Sequence, residues 1–477
     1  MSTQHTVLEK VKSYKKSKHL NILEKPNGYY CVYHMLFGNL KTLNKAALDI
    51  LNLFEDYNTS ENIKKIFPYE DYRKIEPLIE TYKGLYFINE KEDDERSIYK
   101  NNLKMRENKL NSGSFIGGIQ LNVSNSCNFT CYYCFVNSTE GRRQKNGHYS
   151  DIKLMSFETA KKVIEDVINL VKENGKKKLV VKFFGREPLV NWKVIDKIMN
   201  YFKRGESFGL KITYALTTNG SLIDDEIAMK LAQFSVHTTV SIDGMEKSND
   251  SVRTTKKTEG TFHLIEKGLD LLHKNGLKFN LSGVLTENNF NDFNEDFIDF
   301  AKKYNCPEVQ ILLGMQDDYL GRLSTDQVVN KLYDLRSYGM QNQISITGYW
   351  HNAFAQLYNT TYMRGSSEIQ RGTIDSCTAT GYQLSVEPSG DVFPCKAMST
   401  YLGSINDLKG MLKSDNYHDV IMRTYGNVKE CYGCPVEGFC QGECLGNIEQ
   451  KYDDIYRVDT RYCDIYRGIN EKILINL

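Results

Sequence analysis

Cys127-Asn-Phe-Thr-Cys131-Tyr-Tyr-Cys134 puts three thiols within eight residues, directly after residues 118–123, which read as a β-strand. Three thiolates on one short loop suit an iron–sulfur cube and leave one iron without a protein ligand. Zinc prefers pairs of ligands closed to a tetrahedron by two more from elsewhere. An iron with an open position can bind a small molecule and pass it an electron. That is a catalytic arrangement.

Outward from this loop, strands alternate with helices. Strands are expected at residues 118–123, 178–184, 210–216, 236–242, 278–285 and 308–313. Amphipathic helices lie between them near residues 157–173, 194–203, 224–234, 261–274 and 290–304. Six βα units without a signal for eight imply an α/β fold, a partial (β/α)6 TIM-like barrel over residues 117–323. In such folds functional groups gather at the carboxyl ends of the strands, where the three thiols fall.

A chain of 477 residues is long enough for two or three domains. Lys+Arg 61 against Asp+Glu 60 leaves +1, which speaks against a nucleic-acid surface. No apolar h-region opens the chain and no apolar run nears 18 residues, so neither a signal peptide nor a membrane partner is expected. The expected location is cytoplasmic. Twelve cysteines in a reducing compartment do not imply disulfides. Cys31 and Cys306 stand alone and read as small buried hydrophobes.

Residues 1–97 read as a separate module. Strands at 20–23, 29–33 and 39–42, helices at 45–56, 60–66 and 69–81, and a last strand at 85–88 describe a winged helix. The charged run 89–111 reads as a linker, set at 98–116 in the domain division. Residues 324–370 form a helical bridge. Residues 371–477 hold seven cysteines among short elements, a composition suited to a domain held by metal clusters.

The loop at residues 127–134, with aromatic Tyr133 before the third cysteine, resembles the signature of radical S-adenosylmethionine (SAM) enzymes. The resemblance implies that Cys127, Cys131 and Cys134 hold a 4Fe–4S cluster whose fourth iron is chelated by SAM. Reductive cleavage of SAM would then give a 5′-deoxyadenosyl radical. Phe184-Gly185-Arg186-Glu187-Pro188-Leu189 is similar to the family's GGEP loop, with Glu187 as the acid for the cofactor's ammonium group and Arg186 in place of the second glycine. Asn219 in Thr217-Thr218-Asn219-Gly220, and Ser241 and Asp243 in Ser241-Ile-Asp-Gly244, resemble ribose and carboxylate contacts. Arg253 would pair with the carboxylate.

Cys377, Cys395, Cys431, Cys434, Cys440, Cys444 and Cys463 resemble, as a spacing pattern, the SPASM extension of radical enzymes that modify peptides; two zinc ribbons are the alternative. The resemblance implies that Cys431, Cys434, Cys440 and Cys463 hold an outer auxiliary 4Fe–4S cluster. Cys377, Cys395 and Cys444 would hold an inner one, making three clusters in all. Seven ligands for two cubes leave an inner iron open to a substrate thiolate, or closed by a non-cysteine side chain or Cys306. Sulfatase maturases usually carry Asp where Lys396 stands.

Residues 30–54 resemble a RiPP recognition element, which adds a leader peptide as a strand to its sheet edge. A DNA-binding winged helix is disfavoured by the balanced charge of residues 69–81. The leading expectation is therefore a sactipeptide- or ranthipeptide-type maturase that joins a cysteine sulfur to carbon in a ribosomally made, Cys-containing precursor. Flavodoxin or ferredoxin would supply electrons. Carbon–carbon or ether cross-linking, epimerisation with Cys306 as hydrogen donor, and sulfatase-type maturation are the alternatives.

Overall fold

The structure, a computed structural model, describes residues 12–90, 94–203, 208–314, 317–362, 377–424 and 426–477. The chain begins with β1 (Tyr14–Lys16), β2 (Leu20–Glu24), β3 (Tyr30–His34) and β4 (Gly38–Leu43). It continues through α1 (Lys45–Asn52), α2 (Ser60–Ile66), α3 (Tyr69–Gly84) and β5 (Ile88–Glu90). β2, β3 and β4 form an antiparallel sheet, and β1, which the sequence reading lacked, pairs with β5. Apolar residues at both parities bury both faces of β3. Val32 belongs to the module's own core with Leu48, Leu51 and Tyr82, whereas Cys31 and Tyr33 join the core of the rest of the chain. The module is therefore built into its neighbours, not separate from them.

The charged run expected as a linker is mostly helix, α4 (Glu95–Glu107), capped by the Asp94 side chain on Arg96 N–H. Lys100, Lys104 and Glu107 are exposed, but Glu95, Arg96 and Arg106 are held by protein partners. Arg106 is wholly buried, donating to Ile421 O (2.8 Å) and Thr380 O (2.5 Å). Composition alone reads such a run as solvated; tertiary partners override it.

The barrel follows as β6 (Gly118–Ser124), β7 (Phe129–Cys131), α5 (Phe135–Lys145), α6 (Phe157–Glu173), β8 (Lys178–Gly185), α7 (Trp192–Phe202), β9 (Lys211–Thr218), α8 (Asp225–Gln233) and β10 (His237–Ser241). Next come α9 (Glu246–Asp250), β11 (Arg253–Thr255), α10 (Phe262–Lys274), β12 (Phe279–Leu285), α11 (Asp296–Lys303), β13 (Glu308–Leu313) and α12 (Asp317–Leu320). Strands β6, β8, β9, β10, β12 and β13 are parallel neighbours in chain order, the expected arc of six. α11 starts later than expected, because Thr286 and Asn289 first close a capping box over a short 3₁₀ turn.

Two extensions went unread in the sequence. After α13 (Thr325–Gln341), β14 (Ser345–Thr347) pairs parallel to β13, and α14 (Asn352–Tyr362) then packs on β4. At the other edge β15 (Gln383–Val386) pairs parallel to β6, followed by antiparallel β16 (Asp391–Phe393) and β17 (Gly403–Ser404). Among the described residues the sheet thus has ten strands, and the cysteine-rich end is fused to it. That end closes with α15 (Leu408–Met411), α16 (Asp415–Met422), α17 (Leu445–Tyr452) and α18 (Thr460–Ile475), the last packing on α13. No helix among the described residues is long and apolar enough to cross a membrane.

Candidate active site

Inward-facing strand residues and the loops at the carboxyl ends line a cavity of about 950 Å³ inside the arc. Cys127, Cys131 and Cys134 line it, and so do Cys377, Cys395 and Cys444. Cys431, Cys434, Cys440 and Cys463 line a second, smaller cavity. Among the described residues no three His, Cys, Asp or Glu side chains converge closely enough to hold one ion. The thiols stand round cavity walls instead. Burial pushes Cys131 up to about 12 against the pull of Arg253, and pushes Cys440 and Cys444 to about 12. Such thiols need a bound cation to become thiolates, which suits metal ligation.

The antiparallel pairing of β7 with β11 sets Arg253 opposite Cys131. Arg253 reaches Cys131 Sγ (3.5 Å), Asp243 Oδ2 (3.3 Å) and the Tyr133 hydroxyl (2.5 Å). Tyr133 in turn donates to Asp243, which also accepts from Val284 N–H (2.8 Å). Asp243, expected to touch the cofactor, lies behind the cavity wall with no exposed surface, aligning Arg253 and Tyr133 instead. Arg253, Tyr133 and Ser241 do line the cavity.

At the end of β8, Gly185 has φ +144°, and a Cβ there would lie 2.2 Å from Ser124 O. Only glycine fits. Pro188 is buried at the start of a 3₁₀ turn and does not line the cavity. Arg186, at the glycine-to-arginine departure, turns its side chain onto α5, pairing with Glu140 (2.8 Å) and Asn137 (2.7 Å). Glu187 holds three donors: Leu189 N–H (3.0 Å), the Thr218 hydroxyl (2.6 Å) and Asn219 N–H (2.7 Å). Two carboxylate oxygens offer about four lone-pair sites, so one remains. Burial raises the Glu187 pKa even against these donors. Asn219 donates to Asn128 (3.0 Å) and approaches Cys127 Sγ at 3.9 Å.

Lys396 is buried beside Cys395. Its ammonium meets Asn125 (2.7 Å) and both oxygens of Glu387 (3.2 Å each), while Arg143 of α5 donates to the same carboxylate at 2.5 Å. This network joins the helix after the first three thiols to the loop bearing Cys395. Sequence reasoning missed Arg143 and Glu387, because α5 shows no apolar stripe and looks solvated. It also missed Lys182 and Tyr349, both on the cavity wall. A lysine at an inward parity of an otherwise apolar strand was the available signal for Lys182. Tyr349 sits in the field of Cys444, Cys377 and Cys395, and burial holds its hydroxyl protonated. Cys306 donates to Phe279 O and Glu308 O (3.1 Å each), just before β13 and away from that strand's carboxyl end. It does not line the cavity, so neither the ligand nor the hydrogen-donor role considered for it has access.

A parallel arc with three thiols at its mouth and four more lining a separate cavity defines an iron–sulfur, radical-generating class of enzyme. Comparisons agree. The model of the Radical SAM superfamily matches residues 121–301, and that of the SPASM iron–sulfur cluster-binding domain matches residues 377–435. The radical SAM cyclopropyl synthase TigE of Paramaledivibacter caminithermalis is 34% identical over 460 residues, 96% of this chain and 95% of that protein. A cysteine-type anaerobic sulfatase-maturating enzyme of Clostridium perfringens is 26% identical over 362 residues, 73% of this chain and 94% of the other. Among solved structures, anSMEcpe with bound AdoMet and a peptide superposes with TM-score 0.60 at 24% identity, over 75% of this chain and 98% of that one. Streptococcus suis SuiB bound to its precursor peptide SuiA gives 0.53 at 15%, over 94% and 99%. The chain belongs to the radical SAM superfamily and carries a SPASM domain, which imply SAM and iron–sulfur clusters as cofactors.

Proposed function

We propose that this chain matures a ribosomally made precursor peptide by forming a carbon–carbon bond, of cyclopropyl type, at one of its residues. The observation that carries this reading is the shared cavity, in which Cys127, Cys131 and Cys134 face the same space as Cys377, Cys395 and Cys444. A relative that spans nearly the whole chain and is named a cyclopropyl synthase supports the product class. A neighbour bound to a precursor peptide supports the substrate class.

A three-thiol iron–sulfur cluster with SAM would supply the 5′-deoxyadenosyl radical that takes one hydrogen atom from substrate; the second hydrogen lost on carbon–carbon bond formation would leave as a proton and one electron, the electron passing to an auxiliary cluster. The chain's residues do the positioning. Gly185, Arg186 and Glu187 offer backbone and one free acceptor site for the ammonium group of SAM. Asn219 and Ser241, on the cavity wall, would take its ribose, and Arg253, held by Asp243, its carboxylate. Cys377, Cys395 and Cys444 would hold the inner cluster, and Cys431, Cys434, Cys440 and Cys463 the outer, giving three in all. The N-terminal module would seat the leader and raise the local concentration of the core peptide at the cavity. A flavodoxin or ferredoxin would supply the electrons.

The thioether product remains the second reading, favoured by one observation: the inner group has three thiols. An iron left open there suits a substrate thiolate. The test uses reconstituted, reduced protein with SAM and a peptide encoded beside its gene. A product two hydrogens lighter with every cysteine alkylatable supports carbon–carbon bonding; a blocked cysteine supports the thioether. No 5′-deoxyadenosine above a Cys127→Ala control would sink the enzyme reading altogether.

A further inference from the structure

Adjacent residues at the start of α4 grip two different parts of the molecule. Glu95 turns into the N-terminal sheet. His34 takes the N–H groups of Leu36 (3.2 Å) and Phe37 (3.3 Å) on Nδ1, so its Nε2 carries hydrogen and donates to Glu95 (2.9 Å). Asn89 donates to the same carboxylate at 2.5 Å. Arg96 turns the other way. Its Nη1 and Nη2 donate to the two oxygens of Glu437 at 2.8 and 2.9 Å, and its guanidinium lies 4.1 Å from the Tyr432 ring centroid.

Glu437 sits within the loop that bears Cys431, Cys434 and Cys440. Its side chain has no exposed surface, and it also accepts from Gly433 N–H (2.9 Å), next to Cys434. The N-terminal turn grips the same loop again. Gly438 N–H donates to Met35 O (2.8 Å), and a Cβ on Gly438 would stand 1.9 Å from Leu36 O. Phe439 packs edge-on to Tyr33, centroids 5.9 Å apart. Three of the four outer thiols are thus presented by a loop that the N-terminal segment helps to hold, beside Arg423 and Arg467 of the cysteine-rich end.

We propose that Arg96 is a positioning residue for the outer cluster: it neutralises Glu437 and thereby sets that cluster's reduction potential from the N-terminal module. The proposal rests on the assignment of Cys431, Cys434, Cys440 and Cys463 to one cluster. Negative charge beside an iron–sulfur cluster stabilises its oxidised form, and hydrogen bonds round the ligands tune it further. A bidentate guanidinium on a buried carboxylate cancels that charge and fixes the loop.

The experiment is a potentiometric titration of the full-length reconstituted protein followed by EPR, with iron content as control. Arg96→Gln should shift the outer cluster's midpoint to more negative potential, and Arg96→Lys, which keeps the charge, should hold it near wild type. An unshifted midpoint in Arg96→Gln at full iron content overturns the proposal. If that variant loses iron, Glu437→Gln decides. Removing the carboxylate should move the midpoint positive, and no movement overturns the proposal equally. The peptide-maturing reading fails separately, on absent 5′-deoxyadenosine.

Discussion

The Lys396 ammonium stands 3.2 Å from each carboxylate oxygen of Glu387, in a site where both side chains are almost wholly buried. Arg143 completes the arrangement, so one acid holds two cations, with Asn122 and Asn125 donating to its oxygens. The residue that departs from the sulfatase-maturase pattern is thus a structural link between the two groups of thiols on the main cavity.

Removing one partner of a buried ion pair costs about 3–5 kcal/mol, because the other charge stays buried. Glu387→Gln strands two cations and should fall in that range. Lys396→Met leaves Arg143 on the acid and should cost less, about 1–3 kcal/mol. Lys396→Asp, which sets two carboxylates face to face, should be worse than Met. Urea unfolding followed by circular dichroism checks the order. Equal loss in all three would refute the network.

Gly185→Ala places a Cβ 2.2 Å from Ser124 O at φ +144°. Strain at such a position costs on the order of 1–3 kcal/mol. Formation of 5′-deoxyadenosine should drop by roughly tenfold or more, since about 1.4 kcal/mol is a factor of ten. Gly84→Ala, at an exposed position of α3 with nothing within 4 Å and no positive φ, is the control and should leave turnover unchanged.

Asp243 acts through Arg253, so its loss should weaken SAM more than loss of the Tyr133 hydroxyl does. Tyr133→Phe removes two hydrogen bonds, one from Arg253 and one to Asp243, but leaves the Arg253–Asp243 ion pair in place. Asp243→Ala strands a buried guanidinium and should raise the SAM dissociation constant by roughly tenfold or more. Calorimetric titration with SAM separates the two. Equal effects would return Asp243 to a minor role.

Stability should fall with acid in two windows. Burial, with Arg336 nearby, pushes His351 from 6.5 down to about 4. The unfolded chain therefore binds that proton first, and stability declines as pH falls from 6.5 toward 4. Burial pushes Glu387 up, but Lys396 and Arg143 carry it from 4.5 down to about 2. Its contribution is full above 4.5 and lost as pH falls toward 2. His351→Phe should flatten the first window by roughly 3 kcal/mol, read from thermal midpoints between pH 7 and 4. An unchanged slope would show that His351 does not titrate there.

Much of this was legible along the chain. Thiol spacing and βα periodicity are local properties, so the arc of six strands, the three-cysteine loop and most helices could be read directly. Both extensions of the sheet could not. β14 and β15 are short and lie in segments whose composition reads as helix or as metal-held loop, and pairing with distant β13 and β6 makes them strands.

The same division holds for charge. By itself the sequence determined which residue types the chemistry has available: ten grouped cysteines, a glycine at the end of β8, and an acid after it. Tertiary structure alone decided that Asp243 serves Arg253, that Cys306 stands outside the cavity lining, and that a supposed linker holds the loop of Cys431 and Cys434. The reason is physical. An isolated charge in a sequence reads as solvated, and only a partner that the fold brings beside it offsets the cost of its burial.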